Sequence, residues 1–189
     1  MIRKKEFVIT FIFFALALIS YLFLDKVGPF TGNPFLDAAM QLVTAIGDFV
    51  SIFVIGVLLV VYAFLWKKKV LQKQSLFFIF AYLVNSLLIL ILKTSIGRER
   101  PILGIEDTAS FPSGHASEGI FTAKIFGTWY PKFRIALYTF AALSAFSRIY
   151  FGLHYLSDIF AGFGISYLTA TIFLVLYERY VMKTRQKSS

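Results

Sequence analysis

The sequence predicts an all-α, polytopic membrane protein: a bundle of six transmembrane helices with both termini in the cytoplasm. Three observations predict it. The composition is lipid-like, with 58% hydrophobic and 15% charged residues over 189 positions and a mean hydropathy of +0.76. A soluble domain carries roughly 45–50% apolar and about 25% charged residues. Six apolar runs approach the roughly 17–25 residues that cross a bilayer. The Lys and Arg residues fall mostly on one side of those runs.

The first run, Phe7–Leu24, follows Arg3, Lys4 and Lys5. A cleaved signal has an apolar stretch of about 7–15 residues. This one continues past the small residues Ala15 and Ala17, so a retained anchor is expected. Phe35–Leu42, after Gly32-Asn33-Pro34, reads equally as a short interfacial helix or as a loop. The next runs are Phe49–Trp66, Ser75–Leu92, Ala116–Tyr130, Phe133–Phe146 and Tyr155–Tyr177. The fourth and fifth are short, and Pro131 between them marks a tight turn. Within lipid, backbone groups must be satisfied inside the segment, which makes each run a helix. The residues do not alternate in polarity as barrel strands do. No linker or repeat divides residues 1–189, so a single domain is expected.

Thirteen basic residues lie before the first span, between the second and third, beside Pro131 and in the C-terminal tail. Five lie on the other side: Lys26, Lys93, Arg98, Arg100 and Arg148. The positive-inside rule therefore puts both termini in the cytoplasm. Most of the formal charge of +9 is thus accounted for by topology, and nucleic acid is not an expected partner. The chain has no cysteine, which excludes disulfides and thiolate metal sites.

With this topology the reactive side chains gather at the extracytoplasmic face. Lys93 ends the third span, Arg100-Pro101 follows, Pro112-Ser113-Gly114-His115 opens the fourth, Ser147-Arg148 closes the fifth, and His154 and Asp158 open the sixth. Lys93, Arg100 and Arg148 suit a phosphate dianion, the arginines through bidentate contact. Ser113 and Gly114 precede a helix start, where free N–H groups favour an anion, and Gly114 permits close approach. Four residues apart on a helix, Asp158 would hold one ring nitrogen of His154 and leave the other as a nucleophile. His115 is placed to act as general acid. Three cations could then supply the charge stabilisation that Mg²⁺ supplies elsewhere, so no metal and no cofactor is expected.

Each group has a plainer reading. A cation at a span end ordinarily snorkels to the interface, and Ser-Gly at a helix start is ordinarily a cap. Convergence of separate segments on one face, with arginines against the positive-inside bias, favours the site. Among the remaining polar residues, Glu118 is expected to compensate helix charge and Lys124 to reach the cytoplasmic interface. Asn85 is expected to make an interhelical hydrogen bond, and Arg98 and Glu99 to face water.

These residues resemble the type 2 phosphatidic acid phosphatases. That family's signature is Lys, six residues, Arg-Pro; then Pro-Ser-Gly-His; then Ser-Arg, five residues, His, three residues, Asp. Lys93 to Arg100-Pro101, Pro112 to His115, and Ser147-Arg148 to His154 and Asp158 match it in order and without departure. The resemblance implies a metal-independent lipid phosphatase acting through a phosphohistidine. His154 would be the nucleophile, Asp158 its orienter and His115 the acid. Lys93, Arg100, Ser113, Gly114 and Arg148 would bind phosphate. Vanadium haloperoxidases share the signature but are soluble. The short loops resemble bacterial phosphatidylglycerophosphatase B and undecaprenyl-pyrophosphate phosphatases.

The expected partners are the bilayer and a membrane lipid substrate: phosphatidylglycerol phosphate, undecaprenyl pyrophosphate or phosphatidic acid. No protein partner is inferred. The alternative is a non-enzymatic lipid transporter or flippase, but such proteins place polar groups or broken helices near the midplane.

Overall fold

Seven α-helices carry the regular structure of the computed structural model, which describes residues 3–25, 29–102 and 109–186. They are α1 (Lys4–Phe23), α2 (Pro34–Ile46), α3 (Phe49–Leu65), α4 (Lys69–Ile96), α5 (Gly114–Trp129), α6 (Arg134–Tyr150) and α7 (Leu156–Gln186). A 3-10 turn at Pro131–Phe133 joins α5 to α6, as Pro131 leads one to expect. Lys26 and Lys187, both used to orient the chain, lie outside the described residues.

Three helices, α1, α4 and α7, are long and apolar enough to cross a membrane. The pair α2 and α3, bent by 53°, passes the same test as one unit. The difference from six lies in length. At about 1.5 Å per residue, helices of 16 or 17 residues span roughly 24–26 Å, short of the roughly 30 Å hydrocarbon core. This applies to α3, α5 and α6.

The segment after Gly32 is a helix, and its caps say why. Asn33 Oδ1 accepts from Phe35 N and Leu36 N at 3.1 Å, Pro34 occupies the first turn and Asp37 adds negative charge there. Asp48 then caps α3 through Ser51 N at 2.6 Å. Gly47 between these helices lies against α6, where an added Cβ would collide with the Ser144 side chain.

Helix α5 is central. It packs against α6 and α7 and touches α3 and α4. Its neighbours come close because of glycine. A Cβ on Gly162 would fall 2.8 Å from both Ser113 O and Ser117 Oγ, so α7 meets the start of α5 backbone to backbone. Below that contact an aromatic core forms from Phe78 and Tyr82 of α4, Phe121 of α5 and Phe173 of α7.

The opposite end of the bundle is pinned by an ion pair. Lys124 Nζ and Tyr167 Oη each lie 2.6 Å from Glu6 Oε2. Lys124, expected to reach the cytoplasmic interface, is buried and ties α5 to the first turn of α1. Asn85 also departs from expectation. It is fully buried in α4, and neither polar atom of its side chain has a hydrogen-bond partner.

Candidate active site

Helix α4 ends where Gly97 adopts φ +61° and returns its N–H to Lys93 O at 3.0 Å. This left-handed cap leaves Lys93 in the last turn and sends residues 98–100 across the end of the bundle. Lys93 Nζ donates to Ala109 O at 2.7 Å. Arg100 is buried, and its Nη1 donates to Leu153 O at 2.7 Å. Leu153 N in turn donates to Arg148 O at 2.9 Å. The turn between α6 and α7 is thus wired to Arg100 through its backbone.

His154 does not open α7; it lies in that turn, two residues before the helix begins. The pairing with Asp158 survives, at 3.5 Å from Nδ1 to Oδ2. Asp158 also accepts from Tyr155 N at 2.9 Å, the reciprocal half of a capping box, so its place is fixed by the helix start. Arg100 Nη1 stands 3.2 Å from His154 Nε2. A guanidinium has no acceptor, so Nε2 must present its lone pair there and the proton belongs on Nδ1, facing Asp158. Burial pushes the His154 pKa down to about 4; Asp158 opposes this, and Lys93 and Arg100 reinforce it.

Ser113 caps α5, its Oγ 3.5 Å from Ala116 N, and Ser113 N donates to Asp158 O at 3.1 Å. Gly114 begins the helix with nothing within 4 Å of where a Cβ would stand, so the first turn of α5 opens onto space. His115 Nε2 lies 3.2 Å from Thr44 O of α2, which requires an N–H on that nitrogen. Arg148, buried in the last turn of α6, and His154 are both near enough to act on the charge of His115. All eight residues expected from the sequence therefore stand at one end of the bundle. Among the described residues, no three His, Asp or Glu side chains form a metal-binding set.

The structure adds residues that the sequence reading missed. Arg98 does not face water. Its Nη1 lies 2.7 Å from Asp158 Oδ1 and from Ser157 Oγ, its Nη2 lies 2.8 Å from Asp25 Oδ2, and it rests 4.0 Å above the Tyr155 ring. Burial opposes its charge, but Asp25 and Asp158 hold its pKa above the ordinary value. Ser110 Oγ donates to Asp158 Oδ2 and lies 3.4 Å from His154 Nδ1. Glu99 is exposed, as expected. Glu118, expected to compensate helix charge, is buried, 3.5 Å from Ser86 Oγ and near Tyr82 and Asp48.

Comparison with known proteins places this arrangement. The chain is 36% identical to the lipid A 1-phosphatase of Rhizobium johnstonii over an alignment of 112 positions, covering 50% of this chain and 46% of that one. It is 32% identical to the lipid A 1-phosphatase of Rhizobium etli over 109 positions, covering 50% and 47%. The chain spans about half the length of these relatives. Among solved structures, the fold resembles a transmembrane PAP2-type phosphatidylglycerolphosphate phosphatase from Bacillus subtilis, with a TM-score of 0.69, 22% identity, and 93% of this chain and 95% of that one covered. It also resembles LpxE of Aquifex aeolicus, with a TM-score of 0.63, 24% identity and coverage of 76% and 88%. The family model of the PAP2 superfamily matches residues 74–182, a stretch containing Lys93, Arg100, Ser113, Gly114, His115, Arg148, His154 and Asp158. The resemblance carried by those motifs is one of descent, and the chain belongs to the PAP2 superfamily.

Proposed function

We propose that this chain is a metal-independent lipid phosphate phosphatase working at the extracytoplasmic face through a phosphohistidine on His154. The observation that carries the reading is the held imidazole. Nδ1–H faces Asp158 at 3.5 Å and the Nε2 lone pair faces Arg100 at 3.2 Å, where a phosphate bound to that arginine would stand. The proton placement follows from the partners.

In the first half-reaction His154 Nε2 attacks phosphorus, and the bond from phosphorus to the lipid oxygen breaks. Lys93, Arg100, Arg148 and the N–H groups at the start of α5 stabilise the charge on the equatorial oxygens. Thr44 O keeps the Nε2 proton of His115, so donation needs a second proton on Nδ1; a lipid phosphate arriving as its monoanion supplies it, and Nδ1 then passes it to the leaving oxygen as the bond to phosphorus breaks. In the second half, water attacks the phosphohistidine, His115 Nδ1 takes a proton from it, and inorganic phosphate leaves with Nε2 free again. Asp158 remains a carboxylate throughout and steadies the cationic ring.

We read all of α1, α3, α4, α5, α6 and α7 as spans, with both termini cytoplasmic, from the thirteen-to-five division of basic residues. The substrate class is a terminal phosphate on an apolar body: phosphatidylglycerol phosphate, undecaprenyl pyrophosphate, phosphatidic acid, or the lipid A phosphate for which the relatives are named. Phosphate release from these four lipids by the purified chain, with excess EDTA and then with orthovanadate, tests it. Activity is expected to survive the chelator and fall with vanadate. Loss in EDTA with recovery in Mg²⁺ overturns the three-cation mechanism.

A further inference from the structure

His115 must carry two protons before the lipid oxygen leaves, and much of its surroundings opposes a second. It is buried, and Arg148 of α6 is close enough to repel a positive ring. His154, in the turn before α7, adds no negative charge to offset this. Lys93 of α4 adds a further cation at the same end of the bundle, its Nζ held by Ala109 O. Glu118, three residues along α5, is turned to Ser86 of α4.

The opposing charge comes from the junction of α2 and α3, ahead of the residues 74–182 that match the family model. Helix α2 ends at Ile46, and the carbonyls of its last turn lack partners further along the helix. Thr44 O is one of them; it accepts from Gly47 N at 3.1 Å and from His115 Nε2 at 3.2 Å. The imidazole thus sits at a helix C-terminus, where the backbone dipole is negative and a cation is favoured. Asp48 follows two residues after α2, near enough to act on the charge of His115. Its Oδ1 accepts from Ser51 N at 2.6 Å and caps α3.

This junction is fixed against α6. Thr44 Oγ1 lies 2.6 Å from Ser147 Oγ, and Asp37 Oδ1 accepts from Tyr150 Oη at 2.6 Å. Gly47 packs where a Cβ would strike the Ser144 side chain. The negative groups therefore keep one position relative to His115 and Arg148.

Resting on the phosphatase reading, we propose that the C-terminus of α2 and Asp48 form the negative seat of the acid His115, with Asp48 a positioning residue that holds the substrate's proton on Nδ1. A lipid phosphate bound as its monoanion brings that proton. Transfer to Nδ1 leaves a phosphate dianion facing Lys93, Arg100 and Arg148, and an imidazolium facing Thr44 O and Asp48. Each charge then meets its opposite. The proton passes to the leaving oxygen as the bond to phosphorus breaks, and the ring is neutral again. Asp48 keeps its charge and moves no proton.

Two substitutions separate charge from capping. Asn caps a helix as well as Asp, so Asp48→Asn removes the charge and keeps the cap. Asp48→Glu keeps the charge and gives α3 a poorer cap. For the full chain in mixed micelles, kcat and KM are measured across pH on hexadecyl phosphate and on nitrophenyl phosphate. Without the carboxylate the ring gives up its second proton at lower pH. In Asp48→Asn the high-pH limb of kcat on hexadecyl phosphate should therefore move down by about one pH unit, the lower end of what a nearby opposite charge produces. Above that limb kcat should fall roughly tenfold, which is one unit expressed as an equilibrium. KM, and the rate on nitrophenyl phosphate, whose leaving group scarcely needs the proton, should stay nearly unchanged. Asp48→Glu should return the limb towards its original place. A limb that stays put in Asp48→Asn, equal losses on both substrates, or a loss that follows the cap, with Glu worse than Asn, overturns the proposal. No hydrolysis of either phosphate by the unmutated chain overturns the phosphatase reading itself.

Discussion

Arg98 Nη1 stands 2.7 Å from Asp158 Oδ1, and the same guanidinium reaches Asp25 at the end of α1 at 2.8 Å. Asp158 is fully buried, whereas Arg98 keeps 21% of its side-chain surface exposed. Removing the cation would leave a buried carboxylate short of a partner, a loss of about 3–5 kcal/mol when a buried pair is broken. It would also free Asp158 to draw the Nδ1 proton and tilt the His154 ring. Arg98→Gln should therefore lower kcat by roughly ten- to a hundredfold with little change in KM. Arg98→Lys should recover part of the loss, and Asp25→Asn should cost less than either. Steady-state kinetics on an aryl phosphate checks this; a KM effect without a kcat effect would assign Arg98 to phosphate binding instead.

The depressed pKa of His154 gives a spectroscopic prediction. The chain holds two histidines, so ¹⁵N-histidine labelling yields two imidazole spin systems. That of His154 should stay neutral down to about pH 5 and titrate near 4, not near its ordinary 6.5. The sign for stability follows. Below pH 6.5 an unfolded His154 binds a proton that the folded one refuses until about pH 4. Stability is therefore unaffected by this group above 6.5 and falls as pH drops from 6.5 through 4. A midpoint near 6.5 would mean that the ring is not buried as described.

Topology is read from charge and can be labelled directly. Thr108, in the loop between Lys93 and His115, lies outside the described residues, but Glu99 is described and exposed. In a chain without cysteine, Glu99→Cys in intact cells should react with an impermeant thiol reagent. Labelling only after lysis would move the site to the cytoplasmic leaflet.

How far the sequence was legible follows from the range of each interaction. The eight motif residues could be found because their types and spacings encode the chemistry themselves. Arg98 could not, because its role depends on Asp25, 73 positions away, and the same holds for Lys124 and Glu6 at a separation of 118. Ser110 carries no signal of its own beside a Pro-Ser-Gly-His motif. Helix α2 was within reach: Asn33, Pro34 and Asp37 form a cap, a first-turn proline and a first-turn acid, and their joint weight favours a helix over a loop. The six apolar runs marked the six longer helices, and the two runs that read as short, on either side of Pro131, became the short helices α5 and α6, with motif residues at one end and the Pro131–Phe133 turn at the other.

The division of labour between the two histidines makes the last prediction. His154 has a carboxylate at 3.5 Å and a lone pair facing Arg100, whereas His115 has a backbone carbonyl on Nε2. On the proposed mechanism the first is therefore the nucleophile and the second protonates the leaving lipid oxygen. An alkoxide is a poor leaving group and needs a proton in the transition state. A phenolate bearing an electron-withdrawing group scarcely does. His115→Ala should therefore lose about 10²–10⁴-fold on a lipid phosphate, the usual worth of general acid catalysis, and much less on such an aryl phosphate. His154→Ala should lose both alike, with no acid-labile, alkali-stable phosphoenzyme after a rapid alkaline quench of the labelled substrate. The opposite pattern in the two variants would exchange the roles. Equal losses on both substrates in His115→Ala would make His115 a phosphate ligand, since binding, unlike proton donation, does not depend on how readily the leaving oxygen departs.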